Sequence, residues 1–344
     1  MDLPITVVSA RSDDLLISVD GAWGQPGLNL SHWPGNTTPQ ALRHDLSTGI
    51  ALAFSRLPPE ERAALAQGCT AIANNHFDTD GVCAVFAVAR PELALPRAAR
   101  LLATAAAGDF FQVPDDHSFR LDSVISNLAD AERSPWRDRL ARVDAGAKHA
   151  WLLREIVERL PSMLDSDLEE FGDLWRPEAE DLTSDLASLA AAESSEIVHL
   201  DLCVWEGLKS TPFDPGRHAI FGSTSADRVL LVGHPGAGST FRLLLSTLSW
   251  FDLCSRRPLP RPALAGLALR LNEAERTDPK APVAWRAQDA RSPSPELWFG
   301  TPDLEEFSER SIALRESRLA PALVRRAVGE ALRESWIFPE DPVG

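Results

Sequence analysis

Cys69-Thr70-Ala71-Ile72-Ala73-Asn74-Asn75-His76-Phe77-Asp78-Thr79-Asp80-Gly81 is a short apolar run that ends in carboxylates and an imidazole. Residues 69–73 read as a buried strand, because a continuous apolar run closed by turn residues suits a strand covered on both faces. Residues 82–89 read as a helix, which Pro91 interrupts, and a second helix over about residues 92–107 ends at Gly108-Asp109. Strand, loop and helix make the βα unit of an open α/β sheet. Such sheets gather ligands at the carboxyl ends of their strands, where this cluster falls.

His76, Asp78 and Asp80 alternate at a spacing of two. If the extended backbone continued through them, all three side chains would point to one side, and Gly81 would let the chain turn into the helix. Two carboxylates and an imidazole suit manganese, magnesium, iron or zinc. The same residues also fit a polar junction in which Asp78 or Asp80 caps the following helix.

Working outward, residues 15–19 and 28–32 read as strands, the first turning at Asp20-Gly21 and the second at Pro34-Gly35-Asn36. A helix is expected to start with Thr38 as cap and Pro39 at its first position. Leu42, Leu46, Ile50, Ala53, Phe54 and Leu57 would line one face of it, and Pro58-Pro59 would stop it. Residues 147–192 are helical and acidic, with an apolar stripe that includes Trp151, Ile156 and Leu160. Strands return at 197–202, 218–221 and 229–232, a helix covers 262–272, and further strands surround Trp285 and 297–299. A terminal helix spans about residues 319–336. The expected fold class is α/β. An open, mostly parallel sheet lobe covers residues 1–146, a helical connector 147–195, and a second, smaller α+β lobe 196–344.

The chain has 344 residues, 44% of them hydrophobic, which is enough for a sizeable core. Fifty acidic against 34 basic residues give a net charge of −16, so a large nucleic-acid face is not expected. A small anionic ligand stays open, because a bound metal inverts the local field. Met1-Asp2-Leu3-Pro4 offers neither a basic nor an apolar leader, and no apolar run is long enough for a membrane span. The four cysteines are spaced as reduced, packed thiols of a cytoplasmic protein.

The His76-x-Asp78-x-Asp80-Gly81 motif, after an apolar strand and before a helix, resembles the first motif of the DHH phosphoesterase superfamily. The resemblance implies catalytic manganese on His76, Asp78 and Asp80. Ala107-Gly108-Asp109 is similar to the family's Gly-Asp, which implies Asp109 as a further ligand. Where the family has Asp-His-His, this chain has Asp115-Asp116-His117, closer to the first motif and without a clear strand before it. His117 is the residue left to ligate or to act as general acid. Gly233-His234-Pro235-Gly236-Ala237 resembles the substrate motif of the family's second domain. More broadly, Ser31-His32-Trp33-Pro34-Gly35, Asp45-Leu46-Ser47, residues 74–81 and Ala107-Gly108-Asp109-Phe110 look like an uncharacterised bacterial family.

Residues 233–240 follow an apolar run and imitate a phosphate-binding loop, but Ser239 stands where the lysine belongs, and a substrate-facing loop or a plain hairpin turn fits as well. The expectation is therefore a metal-dependent hydrolase, a phosphoesterase acting on a small phosphorylated or anionic molecule. Asp80 and His117 would be catalytic, His76, Asp78, Asp80 and Asp109 would hold the metal, and His234, Gly236, Asn75 and His32 would meet the substrate. A non-catalytic DHH-like ligand- or partner-binding protein, or a metal enzyme on a non-phosphate substrate, fits the same residues. The oligomeric state is left open.

Overall fold

A computed structural model describes residues 3–8, 13–21, 24–144, 147–257, 259–302, 313–334 and 336–337. Met1-Asp2, the Gly146 end of the expected first lobe and Ser335 of the expected last helix lie outside them. The chain divides into two compact units. The first is Met1–Glu180 with Phe251–Arg257, and the second is Asp181–Trp250 with Pro258–Gly344.

The first unit has four strands: β1 (Ile5–Val7), β2 (Leu16–Val19), β3 (Gly27–Leu30) and β4 (Ala71–Asn74). Their order is β1-β4-β2-β3, and every pairing is parallel. Every residue of β2 and β4 is buried, including the polar Ser18 and Asn74 in these otherwise apolar strands. Around the sheet run α1 (Ser47–Arg56), α2 (Pro59–Leu65), α3 (Thr79–Ala89), α4 (Pro91–Ala94), α5 (Ala98–Phe110), α6 (Asp116–Asn127), α7 (Arg137–Leu140) and α8 (Lys148–Asp165). Helix α3 is buried at every position, as a helix apolar all round must be. Ile17, Val19, Ile50, Phe54, Val85, Phe86, Leu101 and Ile156 belong to one core. α9 (Gly172–Ala191) follows, and the division between the units falls within it.

Two elements of this unit differ from the sequence reading. The helix expected from Pro39 is only a 3-10 turn at Gln40–Leu42, and α1 starts at Ser47. Thr38 is not free to cap it: its hydroxyl donates to the Ser31 carbonyl at 2.7 Å and accepts from the Ser31 N–H at 2.8 Å. The N–H groups of Ser47 and Thr48 donate instead to the two Asp80 oxygens, at 2.7 and 2.8 Å, so a residue 33 positions away caps the helix. Second, Gly108-Asp109 does not end a helix. Helix α5 continues to Phe110 and stops at Phe111, in left-handed backbone at φ 53°.

The second unit holds β5 (Glu193–Ile197), β6 (Leu202–Lys209), α10 (Arg217–Ser223), β7 (Arg228–His234), β8 (Thr240–Leu245), β9 (Arg261–Pro262), α11 (Leu264–Glu275), β10 (Ala284–Ala287), β11 (Glu296–Gly300), α12 (Pro321–Ala331) and β12 (Trp336–Ile337). Six strands pair in the order β10-β11-β8-β7-β6-β5, and β9 pairs with β12. Only β6 and β7 run parallel. Residues 218–221, expected as a strand, belong to α10. A four-residue apolar run carries no period to separate strand from helix, and Gly216, donating to Asp185 at 2.8 Å, begins the helix. Leu230, Val232, Phe241, Leu267, Trp285 and Val324 lie in this unit's core. Among the described residues no helix is long and apolar enough to cross a membrane.

Candidate metal centre

Three adjacent strands of the first unit, β4, β2 and β3, deliver polar side chains at their carboxyl ends. Asp20 follows β2 directly and takes a left-handed backbone at φ 48°, which aspartate tolerates better than most residues. Its carboxylate is fully buried and accepts from the Ser47 hydroxyl at 2.8 Å. His32 follows β3. Its Nδ1 lies 2.5 Å from the Asp45 carbonyl oxygen, which can only accept, so the ring proton sits on Nδ1. The Nε2 lone pair then faces Asp109 Oδ2 at 3.1 Å, Asp20 Oδ1 at 3.6 Å and Asp80 Oδ2 at 3.7 Å, and this buried atom has no hydrogen-bond partner.

Asp80 reaches the same point from the first turn of α3, and Asp109 reaches it from α5. Gly108 permits that approach: a Cβ there would come 2.7 Å from the Thr79 Cβ. With the three buried carboxyl groups charged, a lone pair among them is repulsive, and a cation at their centre turns the repulsion into ligation.

A second group adjoins the first. His76 Nε2 lies 2.7 Å from Asp78 Oδ2 and 3.1 Å from Asp20 Oδ2, and Nδ1 lies 2.7 Å from Asn75 Oδ1. The ligand atoms of Asp20, His32, Asp80 and Asp109 lie within 4.8 Å of one another, as do those of Asp20, His76 and Asp78. Asp20 belongs to both groups. The inner group is buried, whereas the Asp78 and His76 side chains are 40% and 25% exposed.

The electrostatics carry the mark of excess negative charge. Burial, and then the Asp78 and Asp80 charges, push Asp20 up to about 6. Burial with Asp80 and Asp20 holds Asp109 well above the usual carboxylate range. Burial opposes a charged His76, but the Asp78 and Asp20 carboxylates outweigh it and hold the imidazole well above its ordinary value. A metal ion would have to displace these protons, so metal loading should release acid.

Over residues 5–341 the chain matches the family described as "Family of unknown function (DUF6687)". The chain belongs to this family. No curated protein matches it. A solved structure described as the DHH domain of a member of a family of ribosomal proteins is similar over 74% of this chain and 54% of its own, at 14% identity and a TM-score of 0.25. The chain thus spans about half the length of that protein, and an overlap this low fixes no residue correspondence.

The motifs of this DUF6687 member converge at the centre. Trp33 tilts over the His76 ring at 5.0 Å, and the Ser47 hydroxyl accepts from the His32 N–H at 3.3 Å. His76, Asp78, Asp80, Asp109 and His32 are brought together, with Asn75 holding His76. The extended path through the cluster does not occur. Asp78 is the N-cap of α3, accepting from the Gly81 N–H at 2.9 Å, so the chain is already helical at Asp80. That winding sends Asp80 to the inner group and leaves His76 and Asp78 in the outer one. Of the two caps open for the following helix, Asp78 takes the role on α3, while Asp80 caps α1, a helix that precedes it in the chain. A carboxylate has about four lone-pair sites, so a cap leaves room for a metal.

Gly81 is needed for space and not for a turn: within α3, a Cβ would come 2.1 Å from Asn74 Nδ2. In the sequence Asp20 reads only as a turn residue, and its signal is a carboxylate at the end of an apolar strand. His32, expected at the substrate, stands among the carboxylates.

His117 is in neither group. It lies in the first turn of α6, after the cap Asp115, and its Nε2 reaches the carbonyls of Met163 and Ser166 at 3.2 and 3.1 Å, closing the end of α8. Changing His117 to Ala should leave the metal content of purified protein unchanged while lowering its melting temperature by a few degrees. Loss of metal in that variant would return His117 to the centre.

In the second unit, residues 233–240 form a hairpin turn between β7 and β8, with Gly233 paired to Thr240. A strand follows where a phosphate-binding loop requires a helix, so the nucleotide-loop alternative is excluded. His234 Nε2 lies 2.7 Å from Glu206 Oε1 and its Nδ1 lies 3.1 Å from the Ser239 hydroxyl. A Cβ at Gly236 would come 2.3 Å from the Glu316 carboxylate.

Proposed function

We propose that the protein is a divalent-metal-dependent hydrolase with a two-ion centre, in which Asp20 is shared between an inner ion on His32, Asp80 and Asp109 and an outer ion on His76 and Asp78. The observation that carries the metal reading is the buried His32 Nε2, an atom without a hydrogen-bond partner that faces the carboxyl groups of Asp20, Asp80 and Asp109. The donor set of carboxylates and imidazole suits manganese, magnesium, iron or zinc, and manganese is our assignment. When bound, such ions polarise a substrate oxygen and acidify a water. Asp20, Asp78 and Asp109 hold the ions in place. His76 would hold the outer ion through Nε2 in its unprotonated form, and the partial exposure of His76 and Asp78 would leave that position open to water and substrate.

A phosphate ester or anhydride is the proposed substrate, supported by the likeness of His76-x-Asp78-x-Asp80-Gly81 to the DHH phosphoesterase motif. The net charge of −16 favours a small molecule over a polymer. In the second unit, His234 and Gly236 are the proposed contacts for an anionic group. Because His234 is held by Glu206, an anion there would have to take Glu206's place. Asn74 supports an oxygen ligand at the centre: its buried Nδ2 donor has no hydrogen-bond partner. The placement of His117 at α8 favours a second reading, a metal-binding protein without turnover.

The deciding experiment measures manganese content, and hydrolysis of pyrophosphate and of an activated phosphodiester, for wild type and the Asp78→Ala/Asp80→Ala double variant. The wild type should carry near-stoichiometric metal and hydrolyse at least one substrate. The double variant should lose the metal and, on the order of 100-fold or more, the rate. Equal metal in both would reduce Asp78 and Asp80 to helix caps. A metal-loaded wild type without turnover would leave the binding protein.

A further inference from the structure

His32 is held in place by a segment remote from it in sequence. Phe251 stacks on the imidazole, with ring centroids 3.8 Å apart and planes 19° from parallel, and Phe110 meets Phe251 edge-on at 6.0 Å. The Asp252 N–H donates to the His32 carbonyl at 2.7 Å. The Asp252 carboxylate is fixed in turn by Arg43 at 3.1 Å and Asn36 at 3.1 Å, the latter 216 positions away. Asp45 Oδ1 then accepts from the N–H groups of Cys254 and Ser255, at 2.6 and 2.9 Å. Asp45 is also the residue whose carbonyl accepts the His32 Nδ1 proton. One residue therefore grips the segment with its side chain and sets the tautomer of the imidazole with its backbone.

We propose that residues 251–255 form a latch that aims His32 Nε2 into the metal centre, with Phe251 and Asp45 as positioning residues. The proposal rests on the reading of His32 as a metal ligand. An imidazole can ligate from either nitrogen, and its ring turns about two side-chain torsions. Ligation from Nε2 alone requires the proton to be locked on Nδ1 and the ring plane to be fixed. The Asp45 carbonyl supplies the lock, and the face of Phe251 supplies the plane. Phe251 also keeps water off one face of the imidazole, which strengthens ligation through the lower local dielectric. The outer group is held independently of this segment: Asn75 Oδ1 meets His76 Nδ1 and Trp33 lies over its ring, and neither residue belongs to the segment.

The latch thus acts on one ion of the two. Phe251→Leu keeps an apolar side chain and removes the ring, and Phe251→Tyr restores the ring. Manganese titration by calorimetry should give two classes of site in the wild type. Phe251→Leu should weaken one class by roughly 10- to 100-fold and spare the other, and Phe251→Tyr should recover most of the loss. Nitrogen-15 spectra of the imidazoles should show a single Nδ1–H tautomer for His32 in the metal-free wild type and a mixture in Phe251→Leu. Asp45→Ala keeps the carbonyl that takes the Nδ1 proton and removes only the grip on residues 254–255. It should reproduce both effects by loosening the segment that carries Phe251, and it decides the question if Phe251→Leu fails to fold by circular dichroism. Lower melting temperatures with unchanged manganese affinity and an unchanged tautomer would overturn the latch and leave the two-ion centre standing. A wild type that binds no manganese would overturn the centre and the latch with it.

Discussion

Asp20→Asn is expected to empty both halves of the centre, leaving less than about a tenth of the wild-type metal after dialysis, because the carboxylate it removes belongs to both groups. The same substitution should stabilise the metal-free protein. Asp20 is fully buried beside Asp78 and Asp80, and a neutral amide removes the cost of that charge. The sign with pH follows from the direction of the shift. The folded-state value of Asp20 is about 6 and the ordinary value is 3.8, so the folded, metal-free protein binds this proton more tightly than the unfolded chain. The stability it contributes is fully present below about pH 4 and is lost as the pH rises through 6. His76, also raised, acts in the same direction.

Urea unfolding of chelator-treated protein at pH 4.5 and 7 should therefore show the wild type losing more stability than Asp20→Asn across that interval. Added manganese should rescue only the wild type at pH 7. Parallel pH profiles for the two metal-free proteins would mean that Asp20 is not charged against its neighbours, and the centre would lose its electrostatic basis.

Gly81→Ala is expected to damage the first unit and its centre together. Its Cβ would come 2.1 Å from Asn74 Nδ2, 2.8 Å from Asp78 Oδ1 and 3.1 Å from Asp20 Oδ2. All three lie on rigid supports: Asn74 ends β4, Asp78 caps α3 and Asp20 follows β2 directly. Asn74 cannot swing away cheaply, because its Oδ1 accepts from the N–H groups of Asn75 and His76 at 2.6 and 3.1 Å. Overpacking of this kind costs about 1–3 kcal/mol, and more when the obstacles are fixed. A loss of about 3 kcal/mol, read from denaturant midpoints at constant slope, should accompany loss of the outer metal. Ala at position 266 is the control, since a Cβ on Gly266 meets nothing within 4 Å. If Gly81→Ala unfolds no more easily than that control, the close approach is not what glycine provides here.

Local interactions made much of the first unit legible in the sequence. A continuous apolar run announced β4 as a buried strand, the β-branched residues 15–19 announced β2, and the carboxylates after β4 marked the ligand end of the sheet. His76, Asp78, Asp80 and Asp109 were visible because they sit in short motifs. The nearest neighbours of such residues along the chain shape their backbone, and a motif needs nothing further to be recognised.

The tertiary structure alone decided how those residues combine. Asp20 became the shared carboxylate because β2 lies between β4 and β3, an order that short-range sequence cannot state. Helix α1 begins at Ser47 and not at Pro39 because its cap, Asp80, comes from another helix. His117 resembles a ligand in sequence, but the packing of α6 turns it to the end of α8. Phe251 carries no motif, and its stack on His32 exists only through chain closure over more than 200 positions, the hydrogen bond between Asn36 and Asp252 spanning 216. Patterns set within about four residues of one another are written in the sequence. The meeting of Asp20, His32, Asp80 and Asp109 is set by which strands pair and which helices pack, and buried charges converge there because the rest of the fold holds them against their mutual repulsion.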